Sequence, residues 1–152
     1  MLKMSIMTVA LMLASCVLGQ TASVDVGAID QAKPPSAADL QEPAPDAKVP
    51  EVGLYAAVTG KFPGDAQRNV YVLVNPLSNP DTRNVWWVQR GVRRDGEGFR
   101  APCQFGEGTQ GQGEFFAILA IATDRRYNEG DQLRGLPADL QYSQVKIVKR
   151  PY

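Results

Sequence analysis

Hydrophobic and polar residues alternate with a period of two through most of residues 51–152, and turn signals interrupt the alternation. Leu54, Ala56 and Val58 fall on one side of a first strand. Val70-Tyr71-Val72-Leu73-Val74 is β-branched and aromatic and stops at Asn75-Pro76, as strands do. Val85-Trp86-Trp87-Val88 predicts a third strand, closed by Gly91. Phe99, Ala101, Cys103 and Phe105 alternate with Arg100, Pro102 and Gln104, a half-buried strand in which Pro102 marks a sheet edge. Residues 114–122 are apolar on both faces after the first position, which predicts a central, covered strand. Val145-Lys146-Ile147-Val148 is the last. Pro63-Gly64-Asp65, Asn79-Pro80-Asp81, Asp95-Gly96 and Glu129-Gly130-Asp131 supply the turns between them, together with the glycine-rich run 106–113.

Six or seven short strands without a helical period predict an all-β domain, a small antiparallel β-sandwich over residues 51–152. A Trp on the third strand resembles the arrangement in immunoglobulin-like sandwiches, in architecture only, because the inter-sheet disulfide of antibody domains has no counterpart here.

Upstream the pattern changes twice. Pro34, Pro35, Pro43, Pro45 and Pro50 punctuate an Ala-rich, acidic stretch that shows no apolar period. Prolines at this density deny the backbone donors of helix and sheet, so residues 16–50 read as a disordered, semi-rigid linker. As polyproline II, the roughly thirty residues from Gln20 to Pro50 reach on the order of 90 Å. Ser36-Ala37-Ala38-Asp39 has the form of a helix cap, but no apolar face follows it.

Residues 1–15 open with Lys3 and continue into the apolar run 6–13, the layout of a secretory signal. That run is too short to span a bilayer as a helix. It ends in Leu13-Ala14-Ser15-Cys16, which resembles the lipobox of bacterial lipoproteins. The resemblance implies acylation at Cys16, which becomes the new N-terminus and anchors the chain in a membrane. Val17, where some Gram-negative lipoproteins carry a retention Asp, implies the outer membrane before the inner one. The alternative is plain secretion to the periplasm or beyond, by a cut after Val17-Leu18-Gly19 that discards Cys16.

Charge changes the picture little. Sixteen basic residues balance sixteen acidic ones, and loss of Lys3 with the signal leaves the chain close to neutral. A nucleic-acid partner would need a basic stripe, which is lacking. There is no histidine, which removes Ser-His and Cys-His nucleophile pairs and histidine-ligated metals. Asp95, Glu97, Glu107, Asp124, Glu129 and Asp131 fall in turns, with no spacing that singles out a catalytic pair, although a glycosidase pair can be distant in sequence. Cys103 alternates with apolar neighbours and reads as a buried small hydrophobe. The run 106–113 lacks the Gly-Lys-Ser/Thr of a phosphate loop and reads as flexible. No cofactor and no metal site is expected.

The order of residues 70–74, Trp86-Trp87-Val88-Gln89, Phe105-Gly106 and 113–118 resembles a β-rich module of uncharacterised bacterial envelope proteins, a likeness of packing signals that brings no activity with it. Trp86 and Trp87 are the candidate ligand-binding residues. Neighbours on a strand point to opposite faces, so both cannot enter one core. Trp87 is expected on the core side with Val85, and Trp86 outward with Val88; a slip of one residue exchanges the roles. The expected function is a lipid-anchored, non-enzymatic envelope protein that presents a binding or structural module to an envelope protein or polysaccharide. The alternatives are a carbohydrate-binding module and a hydrolase using two carboxylates.

Overall fold

The computed structural model describes residues 22–152, which form a two-sheet sandwich of ten strands. The expected signal segment over 1–15 and the expected acylation site Cys16 lie outside the described residues. The smaller sheet has the order β1-β2-β6-β5, from Ser23–Ala28 (β1), Tyr55–Lys61 (β2), Gly98–Gln104 (β6) and Arg93–Asp95 (β5). The larger has the order β10-β7-β3-β4-β8, from Lys146–Lys149 (β10), Phe115–Thr123 (β7), Asn69–Pro76 (β3), Val85–Val88 (β4) and Gln132–Arg134 (β8). Gln141–Tyr142 (β9) also pairs with β7. All pairs are antiparallel except β1 with β2, which run parallel. No helix among the described residues is long and apolar enough to cross a membrane.

The period-two pattern decides what meets between the sheets. Ala56 and Val58 of β2 and Phe99, Ala101 and Cys103 of β6 face Val70, Val72 and Val74 of β3 and Phe116, Ile118, Ala120 and Ala122 of β7, all buried. β7 is buried at every position, as its uninterrupted apolar run requires.

A second core lies on the far face of the larger sheet. Leu73, Leu77, Trp86, Val88, Phe115, Leu119, Ile121 and Tyr142 are buried there. Leu40 and Val49 from the proline-rich segment cover part of it, with Leu133 from β8 and Tyr127, Leu136 and Val145 from the downstream connections.

The expected linker over 16–50 is thereby corrected for residues 22–50. Val24 and Val26 alternate with Ser23, Asp25 and Gly27, and both valines enter the inter-sheet core as part of β1. The chain then crosses to the larger sheet, where Gln31 and Tyr142 exchange backbone hydrogen bonds of 3.0 and 2.8 Å. The Asp39 carboxylate accepts from Ser36 N–H and Oγ–H at 2.8 and 2.7 Å, capping the short 3-10 turn Ala37–Leu40 that carries Leu40 to its contact. Lys149 N–H donates to Pro50 O and Val52 N–H to Lys149 O, both at 2.9 Å, which seals the edge of β10. Prolines that exclude regular structure still permit a strap, because its donors are satisfied by sheet edges and side chains. The sandwich therefore begins at Ser23, not at residue 51.

Candidate functional site

The smaller sheet is incomplete on one side, and that gap makes the site. β5 is three residues long and pairs only with Gly98–Arg100 of β6. Residues 101–104 of β6 thus run on without a neighbour on that edge. Pro102, which has no N–H to leave unpaired, stands in this open stretch, as expected for an edge proline. The Gln104 N–H is met instead by a side chain: it donates to Gln89 Oε1 at 2.9 Å, and Gln89 Nε2 donates to the Trp87 carbonyl at 3.2 Å. Gln89 thereby ties the end of β4 in one sheet to the edge of β6 in the other.

Between that edge and β4 lies a cleft of about 490 Å³. Trp87 pairs with Val74 on the side of the larger sheet that faces the smaller one, and both line the cleft with Phe116. Tyr55, the start of β2, contributes a second aromatic ring and is 57% exposed. Asn79, Thr82, Gln104 and Gln110 supply amide and hydroxyl groups, and Glu107, Glu114 and Glu129 carboxylates.

The expected facing of the tryptophans is correct and their expected exposure is reversed. Trp87 does share a face with Val85, and Trp86 shares the other with Val88. The outward face, however, is the one covered by the strap and the 127–145 connections, so Trp86 is 0% exposed and its Nε1 has no partner. The inward face at β4 lies beside the gap in the smaller sheet, so Trp87 is only half-buried. Trp86 is withdrawn as a ligand residue, and Trp87 is retained.

The glycine-rich run forms one wall of the cleft and is pinned from behind. Arg150 is 6% exposed, and its guanidinium donates to the carbonyls of Phe105 and Gln110 at 2.9 and 2.8 Å, and to that of Gly108. Three carbonyl dipoles meet this cation, and no carboxylate among the described residues forms an ion pair with it. The loop closes so tightly that Gly106, at φ +85°, leaves no room for a side chain beside the Gln110 carbonyl. The glycines are therefore structural requirements of the wall and not marks of looseness. The sequence does not single out Arg150, because an Arg that follows Lys149 and precedes Pro151 resembles any solvated charge.

The other candidates separate cleanly. Of the six turn carboxylates, only Glu107 and Glu129 reach the cleft, where Glu114 joins them. Asp124 meets Arg68 at 3.4 Å, and Asp131 accepts from Asn128 N–H at 2.7 Å. Asp95 closes the β5–β6 hairpin opposite Gly98. Among the described residues no group of three or more His, Cys, Asp or Glu gathers to hold a metal. Cys103 is 1% exposed at the base of the cleft, and burial pushes its thiol up to about 12. It stays protonated at neutral pH and is a poor nucleophile.

The chain matches no family model, and neither curated proteins nor solved structures show a significant match. A functional reading therefore rests on the site itself.

Proposed function

We propose that the protein is a lipid-anchored component of a bacterial cell envelope whose sandwich is a non-catalytic binding module for envelope polysaccharide. The observation that carries the reading is Trp87, a half-buried indole in the wall of a cleft that the amides of Asn79, Gln104 and Gln110 and the hydroxyl of Thr82 also line. An aromatic face beside convergent hydrogen-bonding side chains suits a sugar ring, whose C–H face stacks while its hydroxyls are met laterally. A protein ligand adding a strand is disfavoured by the same edge: Pro102 offers no N–H, and that of Gln104 is taken by Gln89. Binding is favoured over hydrolysis because Glu129 is held by Arg90 at 2.7 Å, while Glu107 and Glu114 lack any ion-pair partner to orient them among the described residues.

The lipobox at Cys16 supports an anchor, with the outer membrane the favoured address. Because β1 starts at Ser23, the stretch 17–22 alone separates an acylated Cys16 from the sandwich. Six extended residues reach about 20 Å, so the module is held at the membrane surface and not far from it. Fatty-acid labelling lost in Cys16→Ser supports the anchor, and label retained in that variant refutes it.

Co-sedimentation with isolated envelope polysaccharide tests the binding reading. Trp87→Ala should keep a wild-type melting temperature within a few degrees and lose retention by about thirtyfold, the usual cost of an interface anchor. Unchanged retention contradicts it. Cleavage of the polymer abolished by Glu107→Gln would instead favour the hydrolase.

A further inference from the structure

The cleft has a charge bias that narrows its ligand, given that it is a saccharide site at all. Three carboxylates line it, Glu107, Glu114 and Glu129, against one lining cation, Arg90. Arg90 Nε lies 2.7 Å from Glu129 Oε1, and that exposed pair is mutually cancelling. Glu107 and Glu114 have no ion-pair partner among the described residues. The nearby cation Arg150 does not line the cleft, and its guanidinium donates three hydrogen bonds away from it, to the carbonyls of Phe105, Gly108 and Gln110. What remains is a lining that carries an indole and two carboxylates without an ion-pair partner among the described residues. An indole face attracts cations through its quadrupole.

We infer that the cleft selects a saccharide bearing free amino groups, a glucosamine-type oligomer, over its N-acetylated and uronic-acid counterparts. At about pH 6 the sugar amine is protonated and carries a positive charge. Each exposed charge contact is weak alone, and two carboxylates with one indole give about a tenfold preference for the ammonium. The same carboxylates repel a uronate, so discrimination has both an attractive and a repulsive part.

The test uses the full-length protein in detergent and the fluorescence of its two tryptophans, of which Trp86 is sealed and Trp87 reports. Tetramers of glucosamine, N-acetylglucosamine and galacturonate are titrated, with tetralysine as a cation that is not a sugar. The amino tetramer should bind about tenfold tighter than the acetylated one, and the uronate should not bind. The double variant Glu107→Gln/Glu114→Gln should lose that advantage, so that the amino and acetylated tetramers bind it alike. Should the double variant be unstable, raising salt to about 0.5 M on the wild type must shrink the same advantage, because exposed charges are screened. Equal affinity for both tetramers, or an advantage that survives both treatments, overturns the inference and leaves the saccharide reading standing. Failure of every sugar to bind overturns both, and tetralysine binding as tightly as the amino tetramer overturns the assignment to a saccharide.

Discussion

Arg150→Met removes a guanidinium from beneath the cleft loop while keeping most of its aliphatic stem, so it isolates the hydrogen bonds from the packing. The wild-type side chain donates to three backbone carbonyls, at Phe105, Gln110 and Gly108. Hydrogen bonds from a charged donor contribute about 1.5–3 kcal/mol each, which sets a gross loss of about 4.5 kcal/mol or more. Part of that is recovered. Glu107 N–H still donates to the Gln110 carbonyl at 3.2 Å, and residues 107–110 are exposed, so water can reach the freed oxygens as the loop opens. A net destabilisation of about 3 kcal/mol is expected, large against the roughly 5–15 kcal/mol of a typical domain. Urea unfolding followed by fluorescence measures it as a shift of the midpoint at unchanged slope. Arg150→Lys, with a compact ammonium that cannot span three carbonyls, should lie between wild type and Met. A Met variant within about 0.5 kcal/mol of wild type would refute the pinning role, since that is the range of ordinary surface substitutions.

Limited proteolysis should leave residues 22–50 attached to the rest of the sandwich, because β1 and the strap are part of the fold; a stable fragment starting near residue 51 would contradict this. Trp86→Ala should cost about 3–5 kcal/mol as a fully buried ring, whereas Trp87→Ala should cost under about 1.5 kcal/mol, and equal losses would mean that both rings are structural. Burial pushes the Cys103 thiol up to about 12, and burial first, with Asp139 and Tyr127 beside it, pushes the Tyr142 phenol up to about 12. The folded state keeps both protons where the unfolded chain releases them. The stability they confer is complete below about pH 9 and is lost as pH climbs through about 12. Urea midpoints should fall across that window, less steeply in Cys103→Ala, and a flat profile would be inconsistent with two sealed groups.

The strands that were legible are those whose sequence pattern coincides with burial on one known face. Phe99, Ala101, Cys103 and Phe105 are all buried, and Pro102 stands on a real edge. The facing of Trp86 and Trp87 was equally legible, since it follows from the pleat alone. Their exposure was not, because it depends on what covers each face. Leu40 and Val49 reach the outer face from far along the chain, and β5 ends too early to cover Trp87. The Val24–Val26 alternation was present but short, and the prolines that follow masked it. Arg150 acts on carbonyls 40–45 residues away, a pairing that leaves no local pattern. β5, β8 and β9 are two or three residues long, too short for any period to register.

The central claim is that ligand enters beside Trp87, and the indole N–H signals of an NMR spectrum address it directly. The chain has two tryptophans, so two such signals are expected, assigned by Trp87→Phe. On addition of a glucosamine tetramer the account predicts that the Trp87 signal shifts, together with the side-chain amides of Gln89 and Gln104, while the sealed Trp86 signal stays in place. Shifts confined to Trp86, or to the exposed face of the smaller sheet around Arg93 and Arg100, would contradict it.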